Sequence, residues 1–172
     1  MSYHAYDSYK DSGVQWLGDV PSGWRVLKLK YGAPQNDVRE SYSEQMLPYV
    51  GLEHLESWTG KRVSDAEAQA EGIVSIFEKG HVLFGKLRPY LAKVHLATDD
   101  GCSSTEIIIL NAKNETFPNF LKYYMLTKSF IEEVNGTTFG SKMPRANWEN
   151  ICLLYTSPSP RDLSTSRMPS SA

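Results

Sequence analysis

Lys79, Lys86, Arg88 and Lys93 stand in a stretch with no Asp or Glu between Glu78 and Asp99. Their charges are interleaved with Phe84, Leu87, Pro89, Tyr90 and Leu91 in FGKLRPYLAKV. A merely solvated face needs no such apolar company, so an ordered scaffold is expected to display this charge. The chemistry open to Lys86, Arg88 and Lys93 is phosphate neutralisation, Tyr90 can hydrogen-bond a phosphate through its hydroxyl, and a guanidinium can also pair bidentately with a guanine edge. A second acid-free stretch, VNGTTFGSKMPRANW at 134–148, offers Thr137, Thr138, Ser141, Lys142 and Arg145 among Gly136 and Gly140. Small residues let a backbone approach a partner closely, and hydroxyls and amides hydrogen-bond phosphates. That mix suits a DNA backbone or groove, and equally an ordinary loop after a helix.

Other groupings commit the chain to no catalysis. His54 lies between Glu53 and Glu56, but on a strand Glu53 and His54 point to opposite faces, which favours a structural histidine. Ser103, Ser104 and Thr105 carry hydroxyls without a nucleophile elbow around them, and read as strand-entry residues with exposed hydroxyls. There is no glycine-rich phosphate loop and no H-E-x-x-H. Cys102 and Cys152, the two cysteines, lack the paired spacing of a zinc site and read as reduced thiols of a cytoplasmic protein, Cys102 as a small turn or core residue.

The chain of 172 residues, 41% hydrophobic, is long enough for one domain with its own core. Its formal net charge of −2 means that attraction for nucleic acid must come from how charge is distributed. Neither a signal-peptide layout nor an apolar run of membrane length is present, so a soluble, unexported protein is expected.

The elements that must position these residues follow from periodicity and turn chemistry. YKDSGVQWLGDVPSGW reads as a loop pinned by Trp16, Leu17 and Trp24, and WRVLKLKY as a strand or short helix. LPYVGLEHL alternates at strand period, whereas SDAEAQAEG at 64–72 predicts a short exposed helix or an ordered loop. IVSIF, HVLFGKL, YLAKVHLAT and STEIIIL form a β-rich centre, in which the Lys79-Gly80 and Asp99-Asp100-Gly101 turns argue for antiparallel pairing. Alternation in the FGKLRPYLAKV strand would put Lys86 and Arg88 on one face and Leu87 on the other, with Pro89 interrupting the ladder. Residues 117–134 have helical spacing of Phe117, Phe120, Leu121, Tyr124, Met125, Ile131 and Val134, with Asn135-Gly136 as the stop. The fold class expected is α+β, a twisted, mostly antiparallel sheet from the 47–110 region packed against this helix. The Ser- and Pro-rich segment 156–172 predicts a disordered tail, so the domain is expected to span 1–155.

The order of YKDSGVQWLGDVPSGWRVLKLK, YVGLEHLES, GHVLFGKLRPYLAKVHLATDDGCSSTEIIIL and GTTFGSKMPRANWENI resembles the specificity subunit of type I restriction-modification systems, in particular one target recognition domain. These stretches are spread over residues 9–151. The resemblance implies a non-catalytic subunit that reads one half of a split site on double-stranded DNA. It also implies docking of a methyltransferase (modification) subunit and, through it, a restriction subunit, with no cofactor of its own: S-adenosylmethionine and ATP act only through those partners. Such a subunit has two recognition domains joined by long helices. This chain corresponds to the first half, and CLLYTSPSPRDLSTSRMPSSA resembles translated adaptor sequence more than native protein. Two readings from other classes make different demands. A stand-alone nuclease or methyltransferase would need a carboxylate cluster or a cofactor loop, and a protein-interaction module would bind independently of salt.

Overall fold

The computed structural model describes residues 6–44, 47–63, 68–113 and 118–156. An N-terminal ribbon of β1 (Tyr9–Asp11) and β2 (Asp19–Pro21) leads into β3 (Leu27–Lys28) and the short helix α1 (Leu29–Gly32). The centre holds β4 (Arg39–Ser41), β5 (Tyr49–Val50), β6 (Ile73–Phe77), β7 (Val82–Gly85), β8 (Val94–Leu96), β9 (Gly101–Ser103) and β10 (Ile107–Leu110). Helices α2 (Pro118–Met125), α3 (Lys128–Gly136) and α4 (Trp148–Ile151) follow, and β11 (Tyr155–Thr156) returns to pair with β3.

Two sheets carry the centre, in strand orders β4-β6-β9-β5 and β10-β7-β8. All their pairings are antiparallel except β5 with β9. The α+β class with mostly antiparallel pairing is therefore as expected, but strands consecutive in sequence are often not partners. The chain leaves the first sheet after β6, builds β7 and β8 in the second, returns for β9 and crosses again to β10. The Lys79-Gly80 and Asp99-Asp100-Gly101 turns are thus crossings between sheets, not hairpin tips. Gly101 owes its place to close packing: a Cβ there would lie 2.3 Å from Phe77 Cζ and 2.8 Å from the Pro48 carbonyl oxygen. A D-G pair required by packing looks, in sequence, like one required by a turn.

The smaller sheet is buried on both faces, which accounts for the unbroken apolar runs VLF and IIIL. Leu83, Ile107 and Ile109 face a cluster with Val50, Leu55 and Phe77. Val82, Phe84, Val94, Ile108 and Leu110 alternate to the other side, onto Leu121, Met125, Phe130, Ile131 and Val134 of the helices.

The helix expected over 117–134 is two helices from Pro118 onward, and Phe117 lies outside the described residues. Thr127 ends one and caps the next: its hydroxyl donates to the Tyr124 carbonyl at 2.7 Å and accepts from Phe130 N–H at 3.3 Å. Both helices turn an apolar side to one core, so periodicity runs through the break unmarked. The N-terminal loop is likewise a β-ribbon, pinned as expected: Trp16 and Leu17 pack on the core and Trp24 meets Phe120 edge-on. In 64–72, residues 68–72 form no helix and 64–67 lie outside the described residues. Thr156, assigned to the tail by sequence, is buried and paired with Leu27. The expected tail from 157 onward lies outside the described residues. Among the described residues no helix is long and apolar enough to cross a membrane.

Candidate nucleic-acid interface

The two acid-free stretches, far apart in sequence, meet through their backbones. Strand β7 ends at Gly85, and the chain then runs between Glu106 on one side and residues 144–146 on the other. Lys86 N–H donates to the Glu106 carbonyl at 2.9 Å, Ala146 N–H to the Lys86 carbonyl at 2.8 Å, and Arg88 N–H to the Pro144 carbonyl at 2.7 Å. A bridge pairs Leu87 with Arg145, and another pairs Phe139 with Arg145, so the 139–145 loop closes on itself. Gly140 at φ +90 makes that closure feasible, with Ser141, Lys142 and Met143 exposed at the tip.

Arg88 departs from strand alternation. It takes left-handed backbone angles, φ 50 and ψ 62, and precedes a 3-10 turn at Pro89–Leu91 that ends on Ala92, itself at φ 44. The strand stops before Arg88 because Pro89 cannot continue the ladder and the turn packs beneath α3. The same-face argument for Lys86 and Arg88 therefore fails. Instead, Arg88 and Tyr90 are exposed on the turn and Lys86 is half-buried beside it.

The other candidates are held to different degrees. Lys93 donates its ammonium to the Leu52 carbonyl at 2.7 Å. The Thr137 and Thr138 hydroxyls donate to the Val134 and Asn135 carbonyls, each at 2.8 Å, closing the last turn of α3. The Arg145 guanidinium meets Glu106 at 3.0 Å while half of its side chain remains exposed. The second carboxylate oxygen of Glu106 is buried without a hydrogen-bond partner among the described residues. Between the turn and the loop lies a groove of about 210 Å3, lined by the apolar Leu52, Leu87, Leu91 and Met143 and by the cationic Arg88 and Lys93. A lining both apolar and cationic can accept a thymine methyl or a deoxyribose while its charges contact phosphate. A larger cavity of about 740 Å3 beside α1, lined by Arg25, Tyr31, Asn111 and Lys113 among others, shares no residue with the two basic segments.

His54 and Ser103 lie elsewhere than their sequence pattern predicts. His54 sits in a 3-10 turn (Leu52–His54), not a strand, and its buried Nδ1 accepts from Gly51 N–H at 2.8 Å. Ser103, expected to expose its hydroxyl, is fully buried in β9, since the sheet crossing places it between β5 and β6. Cys102 is buried beside it, and burial pushes its thiol pKa up.

Comparison with known proteins gives this surface its context. The Escherichia coli type I restriction enzyme EcoDI specificity subunit is 27% identical over 149 residues, covering 84% of this chain and 33% of that protein. Over that span the chain is similar to a type I restriction specificity subunit. The HsdS subunit from Thermoanaerobacter tengcongensis superposes with a TM-score of 0.61 at 19% identity, over 88% of this chain and 42% of that one. A chain from a structure of type I R-M complex assembly and conformational transition gives 0.69 at 21% identity, over 87% and 41%. These likenesses show a shared fold, and the chain spans about a third of the length of the curated relative it matches. No family model matches the chain.

Within this fold, sequence reasoning misses Leu52, Glu106 and Met143. Leu52 and Glu106 stand in strand-like runs where nothing local marks them as neighbours of Arg88 and Arg145. Met143 was in view, inside GSKMPR, but reads as loop filler until the loop is seen to close over the groove.

Proposed function

We propose that this chain is a non-catalytic DNA-recognition module of a type I restriction-modification complex, reading one half of a bipartite site on duplex DNA. The observation that carries the reading is the backbone pairing of residues 86–88 with 144–146, which joins two acid-free segments into one cationic surface around an apolar groove. Kinship with a specificity subunit supports it. In this reading Arg88, exposed in the groove lining, contacts base edges. Lys86 contacts phosphates, and Tyr90, Ser141 and Lys142, displayed beside Arg88, meet base edges as well. Thr137 and Thr138, whose hydroxyl donors are already used, hold the surface in shape, Lys93, with one ammonium hydrogen on the Leu52 carbonyl, keeps two for a phosphate, and Arg145 acts from its pairing with Glu106. A modification subunit docks elsewhere on the molecule and supplies the methyl transfer, and a restriction subunit joins through it. S-adenosylmethionine and ATP are therefore used by those partners and by no site on this chain.

The test is selection of bound duplexes from a randomised pool with the full chain. A short enriched motif is expected, with affinity that falls steeply as salt rises because counterions are released from the duplex. Arg88→Ala should relax discrimination at one position, whereas Lys86→Ala should weaken all duplexes alike. A folded chain that enriches no motif, or whose binding is indifferent to salt, would overturn the reading.

A further inference from the structure

Among the described residues, the non-glycine residues with positive φ are Trp58 at 66, Arg88 at 50 and Ala92 at 44, and they form one connected site. Arg88 and Ala92 bracket the Pro89–Leu91 turn, and Trp58 N–H donates to the Ala92 carbonyl at 3.0 Å. A bulky aromatic residue with positive φ is a genuine outlier. Such strain persists where the surroundings over-determine it, and it gathers at ligand-contacting sites.

Trp58 stands on a hairpin whose arms are tied by the Leu55–Arg62 bridge and by Glu56 N–H donating to the Lys61 carbonyl at 3.0 Å. A further bridge, Ser57 to Lys93, fastens the hairpin to the basic segment. The backbone is strained, yet the side chain is 47% exposed, whereas Trp16 and Trp148 pack on the core. Burial of the indole therefore does not explain the conformation. Charge at the hairpin is favourable for a polyanion. Lys61 and Arg62 are exposed, and the His95 pKa is lowered first by burial and then by the nearby Arg62 and Lys122 cations. The hairpin's acid, Glu56, accepts from the Thr59 hydroxyl, and Glu53, in the turn before it, lies 3.9 Å from the His54 ring.

We infer that the 56–62 hairpin forms a second wall of the DNA surface, with the Trp58 indole packing against a base or deoxyribose of the bound duplex beside Arg88. The inference rests on the DNA-recognition reading, and it extends that surface to a segment outside both acid-free stretches.

The test uses the full chain and the duplex that wild type selects from a random pool. Trp58→Ala should weaken that duplex by about fivefold to a hundredfold, the range of an aromatic contact to a nucleotide, and Trp58→Phe should recover most of the loss. The wild-type minus Trp58→Phe fluorescence difference isolates the Trp58 emission, which the duplex should quench. If Trp58→Ala does not fold, Trp58→Gly takes its place, because glycine accepts the positive φ without strain. Binding within about twofold of wild type with unquenched Trp58 emission would overturn the inference while leaving the DNA reading intact, and would turn attention to a protein partner at the hairpin. If wild type itself selects no duplex, both fall together.

Discussion

Replacing Arg88 by glycine should move stability and DNA binding in opposite directions. Left-handed backbone angles cost an L-residue about 1–2 kcal/mol, and Arg88 holds them at φ 50 and ψ 62. Glycine removes that cost but gives back about 0.4–1 kcal/mol through the greater freedom of the unfolded chain. The net gain lies between about 0 and 1.6 kcal/mol, about 0.8 at mid-range, equivalent at mid-range to a Tm rise of about 2–3 °C for a chain of this size. No packing is lost, because the side chain is exposed and the bond to the Pro144 carbonyl is made by the backbone N–H. Arg88→Ala is the control: it removes the same guanidinium but keeps a Cβ at positive φ, so it should melt close to wild type. On the selected duplex both variants should lose about 1–3 kcal/mol, the worth of one bidentate base contact. Thermal unfolding by circular dichroism and fluorescence polarisation with labelled duplex read the two quantities. If glycine melts no higher than alanine, the turn does not store strain at residue 88. If both bind as wild type does, the guanidinium does not touch DNA.

Other substitutions probe the scaffold. Gly101→Ala should cost about 1–3 kcal/mol by overpacking, because the new Cβ meets the Pro48 backbone as well as the Phe77 ring; an unchanged denaturant midpoint would contradict the crossing geometry. Tyr124→Phe removes the hydroxyl that donates to the Tyr155 carbonyl and ties α2 to β11; a loss of about 1–3 kcal/mol in urea unfolding is expected, and no loss would mean that water satisfies that carbonyl. Burial holds the imidazoles of His81 and His95 below 6.5 in the fold, against the pull of Glu78 and Asp100 at His81. The unfolded chain therefore binds protons first as pH falls, so this contribution is intact above 6.5 and is lost progressively below it. Tm should decline on that side, with a shallower slope in His95→Gln, and an unchanged slope would remove His95 as a cause.

Much of this was legible in the chain because the signals are local. Strands at 73–77, 82–85 and 107–110, a helical region ending at Asn135-Gly136 and the anchoring of Trp16, Leu17 and Trp24 follow from periodicity and composition. Strand partnership was not legible, since a turn that crosses between sheets uses the same glycines as a hairpin. Arg88 illustrates the limit for the site. Its residue type announces a contact to a polyanion, but its turn is held by the Pro144 carbonyl and by packing on α3, which lie outside any local window. The Trp58 hairpin escaped for the opposite reason: ESWTGK looks like an ordinary turn, and only its bond to Ala92 joins it to the basic segment.

The fastening of this surface has a consequence for how its specificity could change. Arg88 to Pro144, Ala146 to Lys86, Arg145 to Phe139 and Trp58 to Ala92 are all main-chain hydrogen bonds, and the buried side chains that anchor the segments, Ala92 and Ala146, point into the core. The outward side chains at 88, 90, 141, 142 and 143 are exposed and take no part in those bonds. Backbone groups must be paired wherever they are shielded from water, whatever side chains they carry, so this ladder survives substitution at the positions it displays. Exchanges at 90, 141 and 142 should therefore alter which duplex is preferred while leaving Tm within the small range of ordinary surface substitutions, about 0.5 kcal/mol. Exchanges at Ala92 or Ala146 should do the reverse, because a larger side chain there has no space to enter and would displace the turn or the loop as a unit. A library randomised at 90, 141 and 142, sorted first for folding and then for duplex preference, tests the separation. If most folded members keep the wild-type preference, specificity resides elsewhere on the molecule. If most members fail to fold, the ladder does not stand independently of what it displays.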